Sequence, residues 1–266
     1  MAAHKSIKIS PSERFEHLPS APIVEAVIQL VGRAEAQRGP TELKASLSNA
    51  LPEYSNVKEL RAVSVSLPLG TARNGEPGQS DESAKPKRAW PGFRLATDDG
   101  RYVAMFTRDY FSLSRLRPYE DWETFQSEAM RLWDFHMGLA GPTEIGRIGV
   151  RFINRFDVPA VDLDPGEYIR GLGNPPGDLP RSEFLHRDGL SVPGHPSYGV
   201  TVIRTVKPAD PGQADHVALL LDIDVFSSLR FPPDPHTIKS RLADMHWLKN
   251  RVFFDNVTER ALDLCR

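Results

Sequence analysis

Three arginines at four-residue spacing, Arg147, Arg151 and Arg155, stand in the segment EIGRIGVRFINRF between Glu144 and Phe156. Successive side chains of an extended chain alternate between two faces. These three therefore share one face, while Ile148, Val150, Phe152 and Phe156 take the other. Four residues of strand span about 13 Å, a repeat at which guanidinium groups meet neighbouring phosphates or the carboxylates of one extended acidic partner. A second extended segment, Leu219 to Phe226, sets Asp222 and Asp224 opposite Leu221, Ile223 and Val225. An Asp-x-Asp pair on one strand face is an arrangement that chelates magnesium with a substrate phosphate, but no glycine-rich phosphate loop accompanies it. The competing use is internal: Asp222 and Asp224 facing Arg151 and Arg155 as salt bridges. Pairing is the expectation for Arg151, and Arg155 stays open between pairing and ligand contact. The candidate binding residues are Arg147, Arg151, Asn154 and Arg155, and Asp222 and Asp224 are the weaker metal candidates.

Other familiar chemistry is missing from the chain. It contains no Walker loop, dinucleotide fingerprint, His-Glu-x-x-His or Gly-x-Ser-x-Gly, which lowers the expectation of an enzyme, and no cofactor is called for. Eight histidines are scattered without paired metal-ligand spacing, and His136 and His246, near Trp133 and Trp247, read as packed core or boundary residues. Cys265 is the single cysteine. It excludes an internal disulfide and every multi-cysteine metal site, and without a neighbouring base it is a poor nucleophile. A run of basic and aromatic residues, Lys85-Pro-Lys-Arg-Ala-Trp90, follows Glu76, Asp81 and Glu82, so its charge is nearly balanced and it reads as a solvated linker.

With 33 basic and 35 acidic side chains among 266 residues, the formal charge of −2 contains no global excess that would drive attachment to nucleic acid. At 40% hydrophobic and 26% charged, the chain reads as a soluble globular protein large enough to bury its own core. The absence of an apolar run of about 18 residues, and of a signal-peptide core, points to a cytoplasmic protein without a membrane partner.

The elements that must position these residues follow from periodicity. Residues 1–19 are a polar arm that docks late or stays mobile. Pro22 to Val31 reads as a strand, Thr41 to Leu51 as a short helix, and Leu60 to Leu69 as a strand of period two. Gly70 to Trp90 lacks apolar residues and reads as a flexible loop. Phe93 to Thr97 and Arg101 to Leu113 form a hairpin turned at Asp98-Asp99-Gly100, and Asp121 to Leu139 a long helix closed by Gly141. The second half runs similarly. A strand over Glu144 to Phe156 precedes a short helix opened by Asp164-Pro165, three strands (Phe184–Val192, Tyr198–Val206, His216–Phe226) and a helix over His236 to Asn250. A last helix is capped by the Asn256 to Glu259 box.

Asp109-Tyr-Phe-Ser and Asp224-Val-Phe-Ser each lead through Leu-Arg and a proline into a long helix, with Phe111 and Phe226 separated by 115 residues. The resulting expectation is an α+β fold of tandem pseudo-duplicated β-α-β-β-β-α units, antiparallel sheets packed on long helices as in helix-grip or TATA-binding-protein-like proteins. The first half covers 20–141, with the flexible loop at 70–90, and the second covers 142–266. Such sheets bury one face and leave a concave one available.

Ala21-Pro-Ile-Val-Glu-Ala-Val27, Gly149-Val-Arg-Phe-Ile-Asn-Arg155 and Phe253-Phe-Asp-Asn-Val-Thr-Glu-Arg-Ala-Leu262 together resemble a sporadically distributed bacterial family of uncharacterised proteins of about this length. The resemblance spans nearly the whole chain. It implies a cytosolic bacterial protein whose patchy distribution fits a defence or toxin–antitoxin setting, and it supplies no chemistry for Arg151, Asn154 and Arg155. Taken together, the expected function is a non-catalytic binding or regulatory module acting through protein–protein contacts. The alternatives are a nucleic-acid-binding protein using its arginine-lined face, or a metal-dependent enzyme using Asp222 and Asp224.

Overall fold

A computed structural model describes residues 5–36, 39–60, 92–161, 163–173, 183–212 and 215–266. The loop expected over 70–90, and residues 61–69 of the strand expected before it, lie outside the described residues. In chain order the elements are β1 (Ile23–Val31), α1 (Pro40–Ala50), β2 (Asn56–Leu60), β3 (Gly92–Ala96), β4 (Tyr102–Phe106), β5 (Tyr110–Leu116) and α2 (Trp122–Ala140). They continue with β6 (Arg147–Pro159), a 3-10 turn at Pro165–Glu167, β7 (Leu185–Ser191), β8 (Tyr198–Pro208), β9 (His216–Ser227), α3 (Pro235–Asn256) and α4 (Glu259–Asp263). The fold is α+β, and its nine strands form one antiparallel sheet in the order β2-β3-β4-β5-β1-β6-β9-β8-β7.

The sheet is joined at its centre by β1 and β6, where Ile28 lies opposite Val150 and Val27 opposite Arg151. Both strands alternate apolar and polar residues, so register and face are coupled: slipping by one residue would turn Ile28, Val150 and Phe152 out to water. These side chains are instead fully buried, together with Leu30, Phe111, Leu113, Ile223 and Val225, against the apolar stripes of the helices. In α2 the stripe is Phe125, Ala129, Leu132 and Trp133, and in α3 it is Ile238, Leu242 and Met245. Each of the larger side chains contributes about 1.5–3 kcal/mol by leaving water. Helix ends are set by local chemistry. The Asp121 and Asp234 carboxylates accept from the N–H groups of Thr124 and Thr237, and Gly141, at φ 56°, closes α2 in a left-handed conformation that disfavours other residues.

Several expectations need correcting. The segment 101–113 is not one strand. Thr107 interrupts it by donating its hydroxyl to the Tyr110 carbonyl and accepting from the N–H groups of Asp109 and Tyr110, which turns the chain between β4 and β5. The helix expected after Asp164 is only the 3-10 turn, capped by the Asp164 carboxylate. The last helix is capped by Thr258, whose hydroxyl accepts from Ala261 N–H, whereas Asn256 ends α3. Of the two alternatives for the arm, late docking or mobility, the described residues from 5 onward show the docked one. Phe15 stacks on Phe254 at 5.5 Å and touches Trp247, Glu13 accepts from the Trp247 indole, and Ile7 N–H bonds to the Pro193 carbonyl.

The expected equivalence of Phe111 and Phe226 also fails. Phe111 pairs with Leu30 and is buried on the helix side, while Phe226 pairs with Gly149, on the same face as Arg147 and Arg151. Alternation puts the two rings on opposite faces of the sheet, so the shared Asp-x-Phe-Ser string does not mark one structural corner.

Candidate functional site

None of the described helices packs against the second face of the sheet, and the arginine ladder lies at its centre. Every odd-numbered residue of β6 from Arg147 to Asp157 points this way, as do Glu25, Val27 and Gln29 of β1 and the even residues Leu220 to Phe226 of β9. The register sets Arg151 directly across from Asp224, yet its guanidinium leans one step further along β6. There it donates from Nε to Asp222 Oδ1 at 2.8 Å and from Nη2 to the second oxygen. Arg147 leans the same way and donates to Asp224 at 2.8 Å while its other arm donates to Gln29 Oε1 at 2.8 Å. Arg155 donates to Asp157 on its own strand and to Asp210 in the β8–β9 turn.

Two glycines make this array possible. A Cβ at Gly149 would sit 2.9 Å from the Arg147 guanidinium, and one at Gly199 would sit 2.7 Å from the Phe226 ring. Their bare backbones let Phe226 lie between two strands, with the Arg147 guanidinium 5.1 Å from the ring centroid. Aromatic packing over a cross-strand glycine shields backbone that would otherwise be open.

The ion pairs are not symmetric with respect to water. The side chain of Asp222 is 12% exposed and that of Arg151 is 47% exposed. The carboxylate is thus the inner member, and the guanidinium keeps its remaining donors directed outward. Burial pushes the Asp224 carboxyl above the usual aspartate range, even though Arg147 and Arg151 pull the other way. The hydrogen bonds to Asp222 hold the Arg151 guanidinium charged.

The structure thus brings Arg147, Arg151, Asp222 and Asp224 together as two interleaved pairs and takes Arg155 elsewhere. Asn154, expected beside the arginines, belongs to the other face. It is buried, and its amide donates to the carbonyls of Leu221 and Phe152 inside the sheet. An even-numbered residue of β6 cannot share the arginine face, so Asn154 is no candidate for contact there. Both oxygens of Asp222 and one of Asp224 are engaged by guanidinium groups, and among the described residues no cluster of three or more histidine, cysteine or acidic side chains gathers at metal-binding distance.

Of the two histidines read as core or boundary residues, His136 is in the core and His246 is part-buried at its boundary. His136 is fully buried beside Trp133, and burial lowers its pKa to about 4. His246 stacks on Trp122 rather than Trp247, and burial lowers its pKa to about 3. Cys265 is buried, and its thiol is pushed up to about 11, so it is a weak nucleophile. One polar residue escaped the reading of the sequence: Lys249, buried on the helix side. Its position seven residues after Leu242 and four after Met245 was the available signal, because that spacing places it on the apolar stripe of α3.

Among the described residues no helix is long and apolar enough to cross a membrane. No protein-family model and no curated protein sequence matches the chain.

Proposed function

We propose that the chain is a non-catalytic binding module that engages a protein partner through the helix-free face of its sheet, at the ladder built from Arg147 and Arg151. The observation that carries this reading is the asymmetry of the Arg151–Asp222 pair, a 47% exposed cation over a 12% exposed anion. The inner carboxylate holds the guanidinium in place, and its outward donors suit the carboxylates of an acidic surface. Around it Val27, Ile153, Ile203 and Phe226 are all half-buried, which supplies the mixed apolar and polar character of a protein interface. A nucleic-acid role is the less favoured alternative. Each arginine of the ladder already has its own aspartate, so little counterion release remains to drive phosphate binding.

The same proposal includes a duplicated plan, and its support is topological. Outward from the central pair run β5, β4 and β3 on one side and β9, β8 and β7 on the other, and a long helix follows both β5 and β9. The repeated Asp-x-Phe-Ser string lends it nothing.

The test is capture by the immobilised full chain compared with Arg151→Glu, each checked for native circular dichroism. A partner that survives nuclease and about 0.5 M salt with the native chain, and is lost with Arg151→Glu, supports the reading. Equal capture by both chains overturns the assignment of this face. Affinity that falls steeply with salt and disappears with nuclease replaces protein with nucleic acid as the ligand.

A further inference from the structure

Across the sheet from the ladder, the ring of Phe152 is the centre of a second polar cluster. Lys249 of α3 is only 6% exposed, and its Nζ stands 4.0 Å from the ring centroid. Tyr119, in the link between β5 and α2, meets the same ring edge-on at 5.5 Å, and its hydroxyl is buried without a hydrogen-bond partner among the described residues. His246 lies 6.5 Å from the ring and Trp122 6.4 Å, and these two stack on each other at 4.3 Å. No acidic residue pairs with Lys249 among the described residues.

This is an expensive arrangement for a core. The Tyr119 hydroxyl loses hydration without gaining a partner among the described residues, and the Lys249 amine has only the face of the Phe152 ring in exchange for water, whereas methionine at 249 would fill the same space without that cost. Departures of this kind from apolar packing concentrate at functional positions. Both groups carry hydrogens that an acceptor oxygen would satisfy. The surrounding rings are apolar and His246 is neutral at pH 7, so the body of a ligand here is uncharged. Burial pushes the Lys249 amine down to about 7, which leaves about half of it as the free base near neutrality.

We propose that Lys249 is a reactive amine that binds a small uncharged aldehyde as an imine against the Phe152 and Trp122 rings, with Tyr119 as a positioning residue for the carbonyl oxygen. The Nζ lone pair attacks the carbonyl carbon, and the C=O electron pair moves to oxygen, which takes up a proton to give a carbinolamine. Loss of that hydroxyl as water, with loss of the remaining proton from nitrogen, leaves the C=N bond. Amine and aldehyde yield imine and water, and no oxidant or reductant is needed. The site lies on the opposite side of the sheet from the docking face and does not depend on it.

The experiment is reductive trapping of the full native chain with propionaldehyde and cyanoborohydride at pH 7, read by peptide mass spectrometry. Lys249 is expected to be alkylated at least about 10-fold faster than the exposed lysines Lys44, Lys207 and Lys239. That advantage should shrink toward pH 10, where surface amines also become free bases. Tyr119→Phe should slow trapping at Lys249 several-fold and leave the surface lysines unchanged. Lys249→Met should lose the adduct with the remaining pattern intact, and if that variant does not fold, the pH-dependent rates of the native chain decide the matter alone. Modification of Lys249 only in urea, or at the surface rate in the native chain, would overturn the proposal.

Discussion

Replacing Arg151 by alanine probes the ladder most directly. The change leaves Asp222, whose side chain is 12% exposed, without either of the donors it now accepts from. It also leaves Asp222 two residues from Asp224 on the same face, about 6.6 Å along the strand. Two like charges at that distance repel by about 2.5 kcal/mol at an effective dielectric of 20, and in the native chain two guanidinium groups interleave with them. A fully buried pair broken from one side costs about 3–5 kcal/mol and an exposed pair about 0–1. With Arg151 47% exposed, water screens the pair, and the expected loss is about 2 kcal/mol for Arg151→Ala. Asp222→Asn should cost about 1 kcal/mol, because the freed guanidinium is already half hydrated. The double variant should then be more stable than the sum of the two losses predicts, by about 1 kcal/mol. Urea unfolding at pH 7 with a constant m-value measures all four corners of the cycle. A coupling energy within about 0.3 kcal/mol of zero would falsify the structural role of the pair.

Stability should depend on pH through two buried bases, His136 and Lys249, and the part-buried His246. His136 and His246 have folded pKa values near 4 and 3, below the ordinary 6.5, so the stability they contribute is complete above pH 6.5 and is lost as the solution is acidified toward those values. Thermal midpoints from pH 7 to 4 should fall, and a flat profile would contradict the burial of both rings. Lys249 obeys the same sign in a higher window: stability should rise between pH 7 and 10, and Lys249→Met should flatten that rise while increasing stability at pH 7. Gly199→Ala should cost about 1–3 kcal/mol, because the new methyl meets the Phe226 ring, and it should add less in a Phe226→Ala background. Phe15→Ala should destabilise the chain by about 1–3 kcal/mol in urea titrations, since that ring packs on Phe254 and Trp247; no change would mean that the arm is not part of the folded unit.

What could be read from the residues alone was what depends on neighbours in the chain. The period of two in EIGRIGVRFINRF set the arginines against Ile148, Val150 and Phe152, and the apolar spacing of 122–139 with Gly141 after it marked α2 and its end. The pairing of the arginine strand with the aspartate strand was also legible as complementary charge. Which carboxylate each arginine takes was not. Arg151 lies across from Asp224 and bonds to Asp222, and Arg155 finds Asp210 in a turn 55 residues away. Such choices depend on register and side-chain lean, which the packing of the whole sheet on its helices decides. Asn154 differs: alternation along β6 by itself sets it opposite the arginines, and the structure adds only the Leu221 carbonyl of β9 that its amide bonds inside the sheet. Lys249 was the hardest to see. A lysine at the margin of an apolar stripe usually extends its charge to water, and only the meeting of α3 with Phe152 and the start of α2 removes that water and turns a surface-type residue into a buried amine.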